Sequence, residues 1–288
     1  MVKYNPKNWF GLIFEFHKSD TLRKLIGVLI IYAIFSLIIV YLEIHYLKFE
    51  STISIHSLIG FIIGLLLVFR TNTAYDRWWE GRKLIGALVN TSRNLALKIS
   101  ALINENDNAS RKFYSTMISN YCYSMKEHLR NNRKKEELSE IDQFDLNDIS
   151  KIEHLPNYIA KKLFQKNKNL YDEKIISGNL LLTIDEQTKL FTDIIGGCER
   201  IKKTPIPYSY NIFIKKFIFI YTITLPVGLA NDFNYWTVPI CVFILYVLSS
   251  LELLAEEIED PFGEDQNDLP FDSICDTIKS NVKEILEN

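Results

Sequence analysis

The residues of this 288-residue chain with the types and spacing to do chemistry fall into four groups. The first is a stripe, Phe61, Leu65 and Phe69, at i, i+4 and i+8, beside a Gly60-x-x-x-Gly64 pair that lets helices approach closely. Rings of bulky apolar side chains around a pore gate ions by dewetting. The alternative is a buried span with no pore, because every membrane helix carries apolar stripes. The second is His56, an ionisable group inside an apolar run. It reads either as a gate or ligand, or as a neutral imidazole hydrogen-bonded to a neighbouring helix. The third is FRTNTAYDRWWEGR, where Arg77 and Glu80 stand one helical turn apart and Trp78 and Trp79 suit an interfacial belt or a packed seam. The fourth is EEIEDPFGEDQNDLPFDSICDTI, with Glu256, Glu257, Glu259, Asp260, Glu264, Asp265 and Asp268 around a turn made by Pro261 and Gly263. Hard cations such as Ca²⁺ take several oxygen ligands, backbone carbonyls included, so this turn is a candidate site without EF-hand spacing. A solvated acidic turn, or one capping the next helix, is the other reading.

Other chemistries are not signalled. The chain has no GxGxxG, P-loop, HExxH or GxSxG, and this argues against an enzyme. Its five histidines (His17, His45, His56, His128, His154) are dispersed. Cys122, Cys198, Cys241 and Cys275 form no CxxC pair, so neither a disulfide framework nor a zinc site is indicated. With 33 lysines and arginines against 35 acids, the charge of −2 excludes a dedicated nucleic-acid binder.

The elements that must position these groups come from segregation along the chain. Mean hydropathy is +0.01, yet apolar runs cover residues 25–42, 53–69, 217–230 and 236–254. At ~1.5 Å per residue each run with its flanks matches a hydrocarbon core of ~30 Å. The third contains Pro226 and Gly228, which a membrane helix tolerates with a kink. Lys3, Lys7, Lys18, Arg23 and Lys24 precede the first run, and Arg70, Arg77, Arg82 and Lys83 follow the second. Lys202, Lys203, Lys215 and Lys216 precede the third, whereas the two short loops offer only Lys48. The positive-inside rule then puts both termini in the cytoplasm.

The interval between the pairs is polar and rich in helix formers. Tyr75, Trp78, Trp79, Leu84, Leu88, Leu95 and Ile99 recur near helical spacing over residues 72–103. Residues 114–129 read as helix, residues 130–153 as a mobile polar connection, and Pro156 as the first turn of a further helix. Residues 185–202 form another, broken or relieved at Gly196-Gly197. The expected class is all-α: an integral membrane protein with four transmembrane helices and a cytoplasmic helical bundle. Residues 1–24 form an N-terminal cytoplasmic segment, 25–69 the first two spans and 70–211 the cytoplasmic domain. Residues 212–254 form the other two spans, and 255–288 the acidic turn and a C-terminal helix.

Three blocks, FRTNTAYDRWWEGR, TPIPYSY and IEDPFGEDQNDLPFDSI, resemble the signature blocks of the bestrophin family in its bacterial branch, in the same order along the chain. The resemblance implies a homopentameric channel in the inner (plasma) membrane passing small inorganic ions along the five-fold axis. It implies a pore neck at Phe61, Leu65 and Phe69, with a one-residue slip to Ile62 and Leu66 as the alternative register. It places a cytoplasmic aperture at Ile206. Animal members hold Ca²⁺ in a clasp whose matching residues here are Asp265 and Asp268, with carbonyls of Glu257 and Asp260; Gln266 and Asn267 replace the carboxylates between them. The family is best known for chloride, and a monovalent-cation channel of the same fold is the alternative. A secondary transporter fits less well, because the Pro226-x-Gly228 break has no counterpart in the first two spans.

Overall fold

The computed structural model describes residues 20–47, 53–141, 144–145 and 152–287. Lys3, Lys7, Lys18 and Lys48, used above for orientation, lie outside the described residues, as do residues 142–143 and 146–151 of the polar connection. Eight α-helices are present among the described residues: α1 Asp20–Leu42, α2 Ile53–Leu102, α3 Asn108–Leu129, α4 Leu155–Asp172, α5 Gly178–Lys203, α6 Tyr208–Phe233, α7 Thr237–Glu259 and α8 Phe271–Glu287. The only extended pairing among them is one isolated bridge, Ile141 to Phe144. The all-α class holds.

Among the described residues, three helical stretches are long and apolar enough to cross a membrane: Thr21–Tyr46, Ile53–Leu102 and Tyr208–Glu259. The last contains α6 and α7, separated by a 3₁₀ turn at Asn234–Trp236 and packed on each other. Asn234 takes φ 51° and ψ −134°, a positive-φ conformation outside the left-handed helical region, and ends α6; the Thr237 hydroxyl donates to the Leu229 carbonyl at 3.1 Å across the bend.

The chain divides into two compact units, residues up to 78 with 205–259, and residues 79–204 with 260–288; α2 runs through both. In the apolar unit, Leu25, Leu29, Ile63, Leu67, Ile214, Ile218, Leu225, Leu229 and Leu245 make the core, while Ile26, Ile30, Ile31, Ile34 and Ile38 of α1 stay exposed, as lipid-facing positions would. Pro226 has no N–H to give the Thr222 carbonyl four residues back. The Tyr32 hydroxyl donates to that carbonyl at 2.7 Å, so α6 keeps its proline with no orphaned acceptor there.

In the polar unit, α3 packs on α8, α4 and α5. Tyr121 donates to the Phe191 carbonyl at 2.6 Å, and Tyr114 to Asn167, whose amide reaches Asp185 and Thr188. Pro156 occupies the first turn of α4, as expected. The expected break at Gly196-Gly197 is not present: α5 is continuous. A Cβ on Gly197 would stand 3.0 Å from both methyls of Leu84, so this glycine serves close approach of α5 to α2. Among the described residues of the expected mobile connection, Leu138 and Phe144 are buried.

The expected division between the second span and a helix from residue 72 is likewise absent. Thr71 and Thr73 turn their hydroxyls back onto the Leu67 and Phe69 carbonyls at 2.8 and 2.9 Å, so the polar RTNT segment stays helical.

Candidate functional site

Phe61, Leu65 and Phe69 form one exposed line on α2, at 70%, 47% and 56% exposure within the single chain. Ile63 and Leu67, each ~200° away around the helix, are 1% exposed and enter the core of the apolar unit. In the alternative register Ile62 is 40% exposed and Leu66 only half-buried, so the 61/65/69 line is the one turned farthest from the chain's own core. The glycine pair does not act as one face. A Cβ on Gly60 would stand 2.9 Å from the hydroxyl of Tyr221 in the same chain, whereas Gly64 has open space. His56 is buried, with Nε2 3.2 Å from the Thr224 hydroxyl and its ring near Tyr221. That is the neighbouring-helix hydrogen bond, within one chain.

Directly after the stripe comes a buried ionic cluster that the sequence reading missed. Arg70, 1% exposed, donates from Nη2 to Glu259 Oε2 at 2.7 Å, and its Nε stands 3.6 Å from Glu252. The other Glu259 oxygen accepts the backbone N–H of Ile206 at 2.7 Å, and the Glu259 carbonyl accepts from Arg77 Nε at 3.2 Å. Glu259 therefore gathers residues of all three blocks that carry the family resemblance. The usable signals are a lone arginine ending an apolar run, read above only as a basic flank, and Glu252 inside the fourth run. The expected local pair of Arg77 and Glu80 gives way to longer-range partners, Glu80 bonding Arg200. Ile206 is 6% exposed, its side chain covered by its own chain. Glu256 and Glu257 pair with Lys215 and Lys24, each at 3.0 Å, so the acidic helix end is largely neutralised.

The turn after α7 is closed by its own residues. Asp268, 2% exposed, accepts the Asp265 N–H on Oδ2 at 2.6 Å, and its N–H returns to the Asp265 carbonyl at 3.1 Å. A Cβ on Gly263 would stand 2.6 Å from that oxygen, so any side chain there would push the Asp268 carboxylate out of its cap. Asp260 accepts the Phe262 N–H, and Asp265 is exposed. Arg130 and Lys134 line the same hollow as Asp265 and Asp268. Asp268 thus uses Oδ2 to cap its own turn, and two cations share the hollow, which opposes a Ca²⁺ ion there. Gly81 fits against the turn: a Cβ there would meet Pro261 at 2.9 Å and Phe262 at 3.2 Å.

One cluster with metal-ligand chemistry occurs among the described residues: His128, His154 and Glu199. Both imidazole Nε2 atoms face Glu199 Oε1, at 2.6 and 3.1 Å. The Asn157 N–H donates to His154 Nδ1 at 3.2 Å, which leaves the proton on Nε2 and makes this ring a donor to Glu199. Burial, with His154 alongside, holds His128 below the usual imidazole range despite the opposing bond to Glu199. For Glu199 burial acts upward, and the bond to His128 together with the neighbouring His154 and Lys203 outweighs it, holding the carboxyl below its usual range.

Comparison with known proteins adds the remaining findings. The family model described as Bacterial/Fungal Bestrophin protein matches residues 1–284. A voltage-dependent anion channel-forming protein of Nostoc sp. is 31% identical over 283 residues, covering 97% of this chain and 92% of its own length. The voltage-dependent anion channel-forming protein YneE of Escherichia coli K12 is 30% identical over 285 residues, covering 98% and 93%. The crystal structure of a bacterial bestrophin homologue from Klebsiella pneumoniae aligns with TM-score 0.84 and 27% identity, covering 92% of this chain and 99% of the other.

Proposed function

The chain belongs to the bacterial and fungal bestrophin family, and from that footing we propose that it is a homopentameric channel of the inner membrane, passing small inorganic anions passively. The exposed line of Phe61, Leu65 and Phe69 supports the reading: an apolar stripe turned from its own core is open to lipid, to a partner subunit or to a water-poor conduit, and family membership favours the last. Five copies around one axis would close it into a neck. Four membrane crossings put both termini and the polar unit in the cytoplasm. The family resemblance would make Ile206 the cytoplasmic aperture; its backbone N–H is held by Glu259 and its side chain is covered by its own chain, so that role requires the side chain to turn out toward the axis. Anions are favoured by the relatives, which are named as anion channel-forming proteins. The neck itself has no charge to decide the sign.

Purified protein in a planar bilayer should give unitary currents that reverse near the chloride equilibrium potential under a sodium chloride gradient. Phe69→Ala should enlarge or leak them. Reversal near the sodium potential would replace the anion reading with a cation channel of the same fold. No current from either form would overturn both.

A further inference from the structure

We propose that His128, His154 and Glu199 bind a divalent transition-metal ion, zinc being the best match, at a site on the polar unit. The three come from separate elements: His128 from the last turn of α3, His154 from the residue before α4, and Glu199 from the final turns of α5. Their ligand atoms all lie within 4.8 Å of one another, with Glu199 Oε1 2.6 Å from one imidazole Nε2 and 3.1 Å from the other. In a tetrahedral zinc site, with metal bonds of ~2.0–2.2 Å, neighbouring ligand atoms stand ~3.3 Å apart. Both nitrogen–oxygen separations lie within about 1 Å of that, so small side-chain adjustments suffice. Two imidazole nitrogens with one carboxylate oxygen select zinc or a similar ion over Ca²⁺ and Mg²⁺, which take oxygen.

Without an ion, two rings compete for a single carboxylate oxygen, and Lys203 approaches the same oxygen at 3.5 Å. An ion answers that convergence by taking all three ligand atoms at once. The surroundings let it enter. The side chains of His128, His154 and Glu199 are 26%, 29% and 19% exposed. His128 and Glu199 border a hollow of about 370 Å³, lined also by Glu153 and Lys202, with room for water as a fourth ligand. Neither lysine blocks the position. Lys202 is committed to the Leu129 carbonyl and the Asn131 side chain, and Lys203, 70% exposed, can swing into solvent.

The protons set the strength. Each ring must offer a bare Nε2 and carry its proton on Nδ1. At His154 that proton displaces the Asn157 N–H, which Nδ1 accepts at 3.2 Å at the start of α4. Zinc therefore competes with the cap of α4, and occupancy follows the zinc concentration, unlike a closed four-ligand structural site. When bound, the ion ties the end of α3, the start of α4 and the end of α5 together.

Untagged full-length protein in detergent, stripped with EDTA and dialysed, is titrated with Zn²⁺ by calorimetry and by metal analysis after equilibrium dialysis. Wild type should bind one zinc per chain with a dissociation constant below about 10 μM. His154→Asn removes the ligand yet keeps a good helix cap, and should weaken binding at least about tenfold. Glu199→Gln should do the same, while His45→Gln, outside the cluster, should bind as wild type. Zinc at about ten times the dissociation constant should raise the wild-type melting temperature by about 2 °C or more and leave that of His154→Asn unmoved. Co²⁺ in place of zinc should give the visible absorption of a tetrahedral site without thiolate charge transfer, which excludes the four buried cysteines as ligands. No zinc bound to wild type at about 100 μM, tenfold above that limit, overturns the proposal. So does thiolate absorption with Co²⁺, or equal affinity in wild type, His154→Asn and Glu199→Gln. Melting curves without zinc show which variants fold, and should His154→Asn not fold, His128→Gln carries the same test. Zinc binding is independent of which ion the protein conducts, so a silent bilayer would remove the channel reading and leave this site standing.

Discussion

Replacing Lys126 with methionine should cost about 2 kcal/mol of stability, less than the 3–5 kcal/mol typical for breaking a fully buried pair. Lys126 is 0% exposed on α3 and bonds Glu137 at 2.6 Å and Asp272 of α8 at 2.7 Å, with Glu127 at 3.4 Å. The discount comes from the partners: the Asp272 side chain is 58% exposed and also holds Arg130, and that of Glu137 is 29% exposed. Glu127 is different, with its side chain only 6% exposed, and losing Lys126 leaves that carboxylate without its nearest cation. At 2–4 °C per kcal/mol for a chain approaching this size, the apparent melting temperature should fall by about 4–8 °C. Tryptophan fluorescence at a fixed scan rate in detergent measures this, and Lys126→Met with Glu127→Gln should recover part of the loss. Burial acts to lower the Lys126 pKa, and its bonds to Asp272 and Glu137 outweigh that and raise it. Asp272 is also opposed by burial, and Arg130 and Lys126 hold its carboxyl well below the usual range. A raised lysine loses its contribution only as pH climbs past 10.5, and a depressed aspartate only as pH drops below 3.8. The effect of the substitution should therefore be flat from about pH 6 to 9. A melting temperature within about 1 °C of wild type, or a double variant no better than the single, would refute the reasoning.

Three further outcomes follow from the same geometry. Gly196→Ala, with open space at its Cβ, should stabilise α5 by about 0.5–1 kcal/mol, whereas Gly197→Ala should gain less or lose because Leu84 must move; paired melting curves decide. His128 and Glu199 are held below their ordinary values of 6.5 and 4.5, in a cluster faced by His154, Lys202 and Lys203. The His128 contribution is present at neutral pH and lost as pH falls through 6.5, whereas that of Glu199 is lost only below 4.5, so melting temperature should fall between pH 7.5 and 5.5 through His128, and less so in His128→Gln. Chelating Ca²⁺ with EGTA should leave bilayer currents unchanged, because Asp268 caps its own turn; currents that vanish on chelation and return with Ca²⁺ would contradict this.

What the sequence disclosed depended on whether a feature is periodic or relational. Apolar runs, basic flanks and the 61/65/69 spacing are periodic or local, and they led to the membrane class, to α1, and to a stripe that the fold leaves uncovered. Gly196-Gly197 looked like a break because glycine lowers helix propensity, but the gain from close approach to Leu84 is invisible without the partner helix. The RTNT segment looked like a boundary because threonine favours other structure, yet its hydroxyls bond the preceding turn of the same helix. Glu259 escaped notice among seven acids, since nothing in its neighbourhood says that its partners are 189 and 53 residues away.

That difference also explains where the family resemblance is concentrated. Many apolar residues satisfy a neck, because dewetting asks only for bulk and lack of charge. The position of Glu259 is far more demanding. It must reach a guanidinium and a backbone N–H with separate oxygens while its carbonyl takes a second arginine. Aspartate is a methylene too short to keep both distances, and glutamine forfeits the charge that Arg70 needs in a buried site. Gly81 and Gly263 are constrained in a similar way, by Pro261 and by Asp268. The recognisable blocks thus mark the joints of the fold, where one side chain must meet several partners at fixed distances. The stripe proposed to meet the ion is the part that chemistry leaves most free to vary.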